Sequence, residues 1–167
     1  MSHAHFFMAG KKMLFVLVFF VAAAGPLAVA LAARPTPQRA LQKTARLEIQ
    51  TSGKEKLFFA RILVDPGQPV NAVGATIQFP PGQTEALEID KKNSFCEFFP
   101  EEAIDNRNGL VRIGCGRPFP GIDRKAIVAE IVFKKKKSGT VGLRLGEDSV
   151  VLANDGYGTD VLVRAGD

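Results

Sequence analysis

The sequence predicts an all-β domain, a sandwich or barrel, behind one hydrophobic N-terminal segment. Three observations carry that prediction. After position 45 the apolar residues fall in short runs of period two, and β-branched residues and phenylalanine fill those runs. Glycine and proline, 16 and 10 in number, break the runs at turn spacing. At 167 residues the chain suits one core with an appendage, because a single core serves roughly 100 to 200 residues.

At the N terminus, Lys11 and Lys12 precede an uncharged stretch from Met13 to Ala33. A positive flank, an apolar centre and the small residues Ala28, Ala30, Ala32 and Ala33 make the pattern of a cleavable export signal, with Ala30-Leu31-Ala32 as an A-x-A site. The stretch also matches the roughly 20 residues that cross a bilayer as a helix, so an uncleaved anchor reads equally well. Gly25-Pro26 kinks such a helix or ends the signal's apolar centre, and the lysine pair keeps the N terminus cytoplasmic either way. Residues 1–33 are therefore expected to be a signal peptide or membrane anchor. The chain is expected to be exported, either membrane-anchored facing outside or secreted after cleavage. Residues 34–44, with Pro35 and Pro37, read as a poorly ordered linker, and 45–167 as the domain.

Ten strand-like segments follow: 45–51, 56–64, 70–79, 85–89, 94–98, 109–115, 126–133, 139–145, 149–153 and 161–164. Alternation places Phe58, Ala60, Ile62 and Val64 on one face, as it does Val73, Ala75, Ile77 and Phe79, and Ile127, Ala129, Ile131 and Phe133. These sets are the expected core. The opposite faces carry Gly74, Thr76 and Gln78 on one strand and Arg112 on another, as a solvated or partner-binding sheet does.

Four segments, in order, resemble the cohesin family over about residues 45 to 165: 70–81 (VNAVGATIQFPP), 109–121 (GLVRIGCGRPFPG), 126–133 (AIVAEIVF) and 149–160 (SVVLANDGYGTD). The resemblance implies a jelly-roll sandwich of about nine strands, related to carbohydrate-binding sandwich modules. It also implies noncovalent binding of a dockerin-like protein module, in surface complexes that often act on polysaccharides. Two features depart from the family pattern: the connection between Thr51 and Leu57 is short, and Pro80-Pro81 replaces an acidic-proline turn. Since the resemblance puts strands three and six side by side in the sheet that receives dockerin, Thr76, Gln78 and Arg112 are the expected partner-binding residues. The turns at Phe98 to Glu102 and Phe119 are the next candidates.

The remaining chemistry excludes most enzymes. His3 and His5 both precede the export segment, so the domain has no histidine for a catalytic triad or a histidine-bearing zinc site, and no phosphate loop opens a helix. Carboxylates at Glu85, Glu88, Glu97, Glu101, Glu102 and Asp105 fit a glycosidase pair on paper and a solvated surface more simply. No catalytic residue, metal or cofactor is assigned. Asn154, Asp155 and Asp160 read as a tight turn rather than calcium ligands, and Lys134 to Lys137 as a solvated turn rather than an anionic-surface contact. The net charge of +5 is dispersed and nucleic-acid binding is not expected. A polysaccharide ligand stays open. Tryptophan is absent and Tyr157 is the one tyrosine, but Phe98, Phe99 and Phe119 can line a cleft. A bare structural or adhesive domain is the third reading. Cys96 and Cys115, two cysteines in an exported domain, are expected to form a disulfide, with buried free thiols as the alternative.

Overall fold

A computed structural model describes residues 42–53 and 56–164. The expected export segment and residues 34–41 of the expected linker lie outside the described residues. Among the described residues no helix is long and apolar enough to cross a membrane.

The domain is an all-β sandwich of nine strands: β1 (Arg46–Ser52), β2 (Leu57–Asp65), β3 (Val70–Gln78), β4 (Thr84–Asp90), β5 (Phe98–Asp105), β6 (Leu110–Gly116), β7 (Ala126–Lys135), β8 (Arg144–Leu145) and β9 (Val150–Ala153). One sheet has the order β1-β2-β7-β4. The other runs β5-β6-β3-β8, with β9 continuing beside β3. All named strand pairs are antiparallel.

The period-two sets meet between the sheets. Phe58, Ala60, Ile62 and Val64 are buried with Val73, Ala75, Ile77 and Phe79, and with Ala129, Ile131 and Phe133. Phe133 is stacked with Phe58, ring centroids 5.2 Å apart, and met edge-on by Phe79 at 5.3 Å, which ties β2 and β7 to the end of β3. Ile127 is only half-buried while Val128 is fully buried, against the expected alternation. The cause is a bulge at Val128, the extra residue of β7 set against Ile62 and Leu63, which reverses the phase of β7 at that point.

Two segments close the open sides of the sandwich. Residues 94–97, expected as part of a strand, instead cross between the sheets: Phe95 N–H donates to Ile127 O and Ser94 Oγ to Val128 O, while Glu97 N–H donates to Gly116 O. The Cys96–Cys115 disulfide fastens this crossing to β6. On the other side, residues 159–163 turn back along β9 and reach β1. There Ala45 makes a parallel bridge with Leu162, and Thr44 and Ala45 both donate to Val161 O. This segment forms bridges rather than the strand expected at 161–164. It also docks Thr44, at the end of the expected linker, whose hydroxyl donates to Pro66 O.

The strand at Phe98–Asp105 was not among the expected ones beyond its first residue. Its sequence, FFPEEAID, carries a proline and two glutamates, which a central strand does not tolerate; β5 is an edge, where proline and charge are compatible with one-sided pairing. The tight turn into β6 needs Gly109, with φ at 70°, where a Cβ would clash with Phe79 O. The expected segment 139–145 shrinks to Arg144–Leu145.

Candidate functional site

The outer face of the five-stranded sheet is the candidate site, and its pairing register fixes what it displays. Residues opposite one another in antiparallel strands share a face, so four rows cross the sheet. The first is Phe98, Gly116, Ala72 and Leu152, and the second Glu101, Gly114, Gly74 and Val150. The third is Ala103, Arg112 and Thr76. The last is Asp105, Leu110, Gln78 and Arg144.

The middle of this face is floored by small residues. Phe98, 50% exposed, lies over Gly116, where an added Cβ would come 2.5 Å from the ring. Gly74 and Gly114 are flanked by Val150 and the Glu101 stem, at 3.0 and 3.1 Å from their would-be Cβ positions. The result is a shallow, largely uncharged floor with an exposed aromatic ring at one corner.

The expected partner-binding residues are brought together only in part. Thr76 and Arg112 stand directly opposite each other, and Gln78 lies two residues on. Arg112 and Gln78 are exposed. Thr76 is not: it points away from the core, yet only 7% of it is accessible. The reason is a non-local insertion. From Ile77 to Gly74 the chain advances three residues, while its partner advances five, from Leu145 to Val150. The surplus forms a turn, Gly146 to Ser149, that folds over Thr76. Gly146 N–H donates to Thr76 O at 2.7 Å, Thr76 N–H to Ser149 Oγ at 3.1 Å, and Thr76 Oγ1 to Asp148 Oδ2 at 2.9 Å. Thr76 is thus a seat for this turn, not a contact residue.

Sequence reasoning missed Ala72, Gly114, Gly116, Val150, Leu152 and Arg144 on this face, and reached Phe98 and Glu101 only as part of the 98–102 turn. The alternation signal existed for Ala72 and Gly114. It carried no information on which sheet face a partner would use.

The other candidates separate. Phe99 is half-buried against the core, with the Lys91 ammonium 5.0 Å from its ring centroid, so Phe98 and Phe99 face opposite ways and form no common cleft. Phe119, 86% exposed and followed by a cis proline bond, borders a separate open cavity of about 420 Å³ with Pro69, Pro120, Ile122, Asp123 and Asn154. Glu85 meets Lys134 at 3.0 Å, Glu97 meets Arg117 at 2.9 Å, and Glu102 meets Lys91 at 2.8 Å. The Lys134 hydrogen bond holds the Glu85 carboxyl below its ordinary value.

At 154–160 the oxygens serve the turn. Asp155 accepts from the Thr159 hydroxyl and from Tyr157 and Gly158 N–H, which lowers its pKa. Burial pushes the Asp160 carboxyl up, and donation from Leu162 N–H, Arg164 and Val151 N–H outweighs it, so the net shift is downward. Asn154 donates to Pro120 O and accepts from Asn71.

The outer face of the five-stranded sheet is thus an aromatic and small-residue surface, and Glu85, Glu97 and Glu102 are held in ion pairs. The domain's fold is that of cohesin modules. The third cohesin of ScaC from Acetivibrio cellulolyticus, solved in complex with the ScaB dockerin, is 21% identical, with a TM-score of 0.55 over 65% of this chain and 85% of that one. The cohesin module of a Clostridium perfringens family 33 glycoside hydrolase is 17% identical, with a TM-score of 0.58 over 74% and 93%. A non-cellulosomal cohesin from the archaeon Archaeoglobus fulgidus is 10% identical, with a TM-score of 0.53 over 71% and 84%. No family model matches the sequence, and no curated protein matches it.

Proposed function

We propose that the chain is an extracytoplasmic recognition module that docks a dockerin-like protein module, noncovalently, on the outer face of its five-stranded sheet. The observation that carries this reading is the fold it shares with cohesin modules, among them cohesins solved in complex with dockerins. The make-up of the face supports it: an exposed Phe98, a small-residue floor, and Gln78, Arg112 and Arg144 along one end. Fully buried aromatic and arginine contacts are where protein interfaces concentrate their binding energy. The domain acts by binding and not by catalysis, and the N-terminal segment tethers or exports it, in assemblies connected with polysaccharides.

Retention of purified dockerin modules on the immobilised full chain tests this. At least one dockerin is expected to be retained by the parent and released by Phe98→Ala combined with Gln78→Glu at unchanged melting temperature. A panel with no retained member, or retention indifferent to that pair, rejects the face as a dockerin receptor. A second reading, a carbohydrate-binding module, is favoured by the exposure of Phe119 at its cavity, since a flat ring stacks on sugar C–H groups. Affinity electrophoresis in polysaccharide gels, with Phe119→Ala as the control, measures it directly.

A further inference from the structure

The outer face of the five-stranded sheet is electrically uneven. Arg112 and Arg144 are both exposed, and neither side chain makes a hydrogen bond or ion pair with a described residue. Elsewhere in the domain Arg61, Lys91, Arg117, Lys125 and Lys134 each meet a carboxylate at 2.6 to 3.0 Å. The acids near the two arginines have other occupations. Asp105 accepts from the Asn108 side chain and from the Asn108 and Arg107 N–H groups, which hold its carboxyl down with the Arg112 charge as the weakest contribution, and Asp148 accepts from Thr76. Glu101, exposed on β5, gives the opposite edge the opposite sign.

The register sets the spacing. Arg112 stands opposite Thr76 and Arg144 opposite Gln78, so the two backbones are separated by two strand intervals and two residues, about 12 Å. Beside Arg144 an open cleft of about 420 Å³ is lined by Gln78, Phe79, Pro80, Gln83 and Thr140. The lining thus joins two amides and a hydroxyl to Phe79 and Pro80. A guanidinium presents a planar fork that matches a carboxylate with two parallel hydrogen bonds.

We infer that the segment received on this face is acidic and presents two carboxylates, one to Arg112 and one to Arg144 at the mouth of the cleft. The inference rests on the docking reading above and adds the chemistry of the partner. On a helix, acids seven residues apart lie on one side about 10 Å from each other, within reach of both arginine stems.

A phage library of helical peptides selected on the full chain tests it. The enriched peptides are expected to carry an acidic pair at that spacing. The best of them is expected to lose affinity about tenfold or more against Arg112→Glu/Arg144→Glu, to weaken with added salt, and to be replaced on that variant by a peptide with lysines at the two positions. The neutral pair Arg112→Gln/Arg144→Gln, checked for an unchanged melting temperature, serves if charge reversal prevents folding. Enriched peptides without acids, affinity within about twofold on either arginine variant, or no enrichment at all overturns the inference, as does retardation by polygalacturonate alone. Ala72→Phe, a neutral block in the middle of the face, separates the two levels. If it abolishes binding while the arginine variants do not, docking stands and the acidic partner falls. If binding survives Ala72→Phe, the docking face itself is wrong.

Discussion

The two outer faces of this sandwich solve opposite problems with the same backbone. On the four-stranded sheet, Arg61 pairs with Glu130 directly across the strands, Lys134 with Glu85 in the same way, and Lys125 with Glu48. Each of these three cations has its counter-ion inside the chain. On the five-stranded sheet, Arg112 and Arg144 make no ion pair with a described residue, glycines replace side chains at Gly74, Gly114 and Gly116, and Phe98 stays half exposed. The four-stranded face also leaves Phe59 exposed, so the contrast rests on the counter-ions and on the glycine floor. The difference teaches that the cross-strand neighbour, not the residue type, tells a solvated charge from an unpartnered one.

The largest expected effect concerns what holds the unpaired face together. Replacing Cys96 and Cys115 by serine frees the crossing that closes β5 and β6. Because the bridge spans 19 residues, the chain-entropy account assigns it about 3 kcal/mol. Thermal and denaturant unfolding should register that loss, with amide exchange rising first in β5; unchanged exchange there would mean that the edge is held by pairing alone. Next, Arg112→Ala should weaken binding of a retained dockerin by about 2 kcal/mol, measured by calorimetry, with stability unaltered. Thr76→Arg should instead destabilise the fold, since it must displace the turn from Gly146 to Ser149.

A smaller change is expected on the paired face. Arg61→Ala and Glu130→Ala, combined in a double-mutant cycle, should show a coupling of about 0.5 kcal/mol that shrinks in salt, because both side chains remain partly in water, and no effect on partner affinity. The smallest is a pH dependence. Asp155 and Asp160 have folded pKa values below the reference 3.8. Their stabilisation is therefore complete above the unfolded value and is lost as acid is added below about pH 4. Acid titration of Asp160→Asn should show a shallower loss of melting temperature than the parent over that range, and an identical slope would remove Asp160 from the account.

The sequence and the structure agree where burial alone decides. Phe58 to Val64 and Val73 to Phe79 are legible as core, because alternation is a local signal and both strands lie inside a sheet. β5 is not, because an edge strand with Pro100, Glu101 and Glu102 lacks the propensity that marks a central one. The candidate face was legible as a direction, through Gln78 and Arg112, and illegible in detail. Nothing near Thr76 foretells a turn inserted seventy residues later in the chain, and Arg144 becomes meaningful only when it stands beside Gln78.

The parallel bridge between Ala45 and Leu162 has a mechanical meaning. The chain enters the domain just before Thr44 and leaves it after Val163, along two neighbouring segments that run in the same direction. Tension on the flanking chain therefore pulls these segments past one another, loading the bonds from Thr44 and Ala45 to Val161 O, and from Val163 to Ala45 O, together in shear rather than opening them one by one. That seam lies on the opposite side of the sandwich from the crossing that the disulfide fastens.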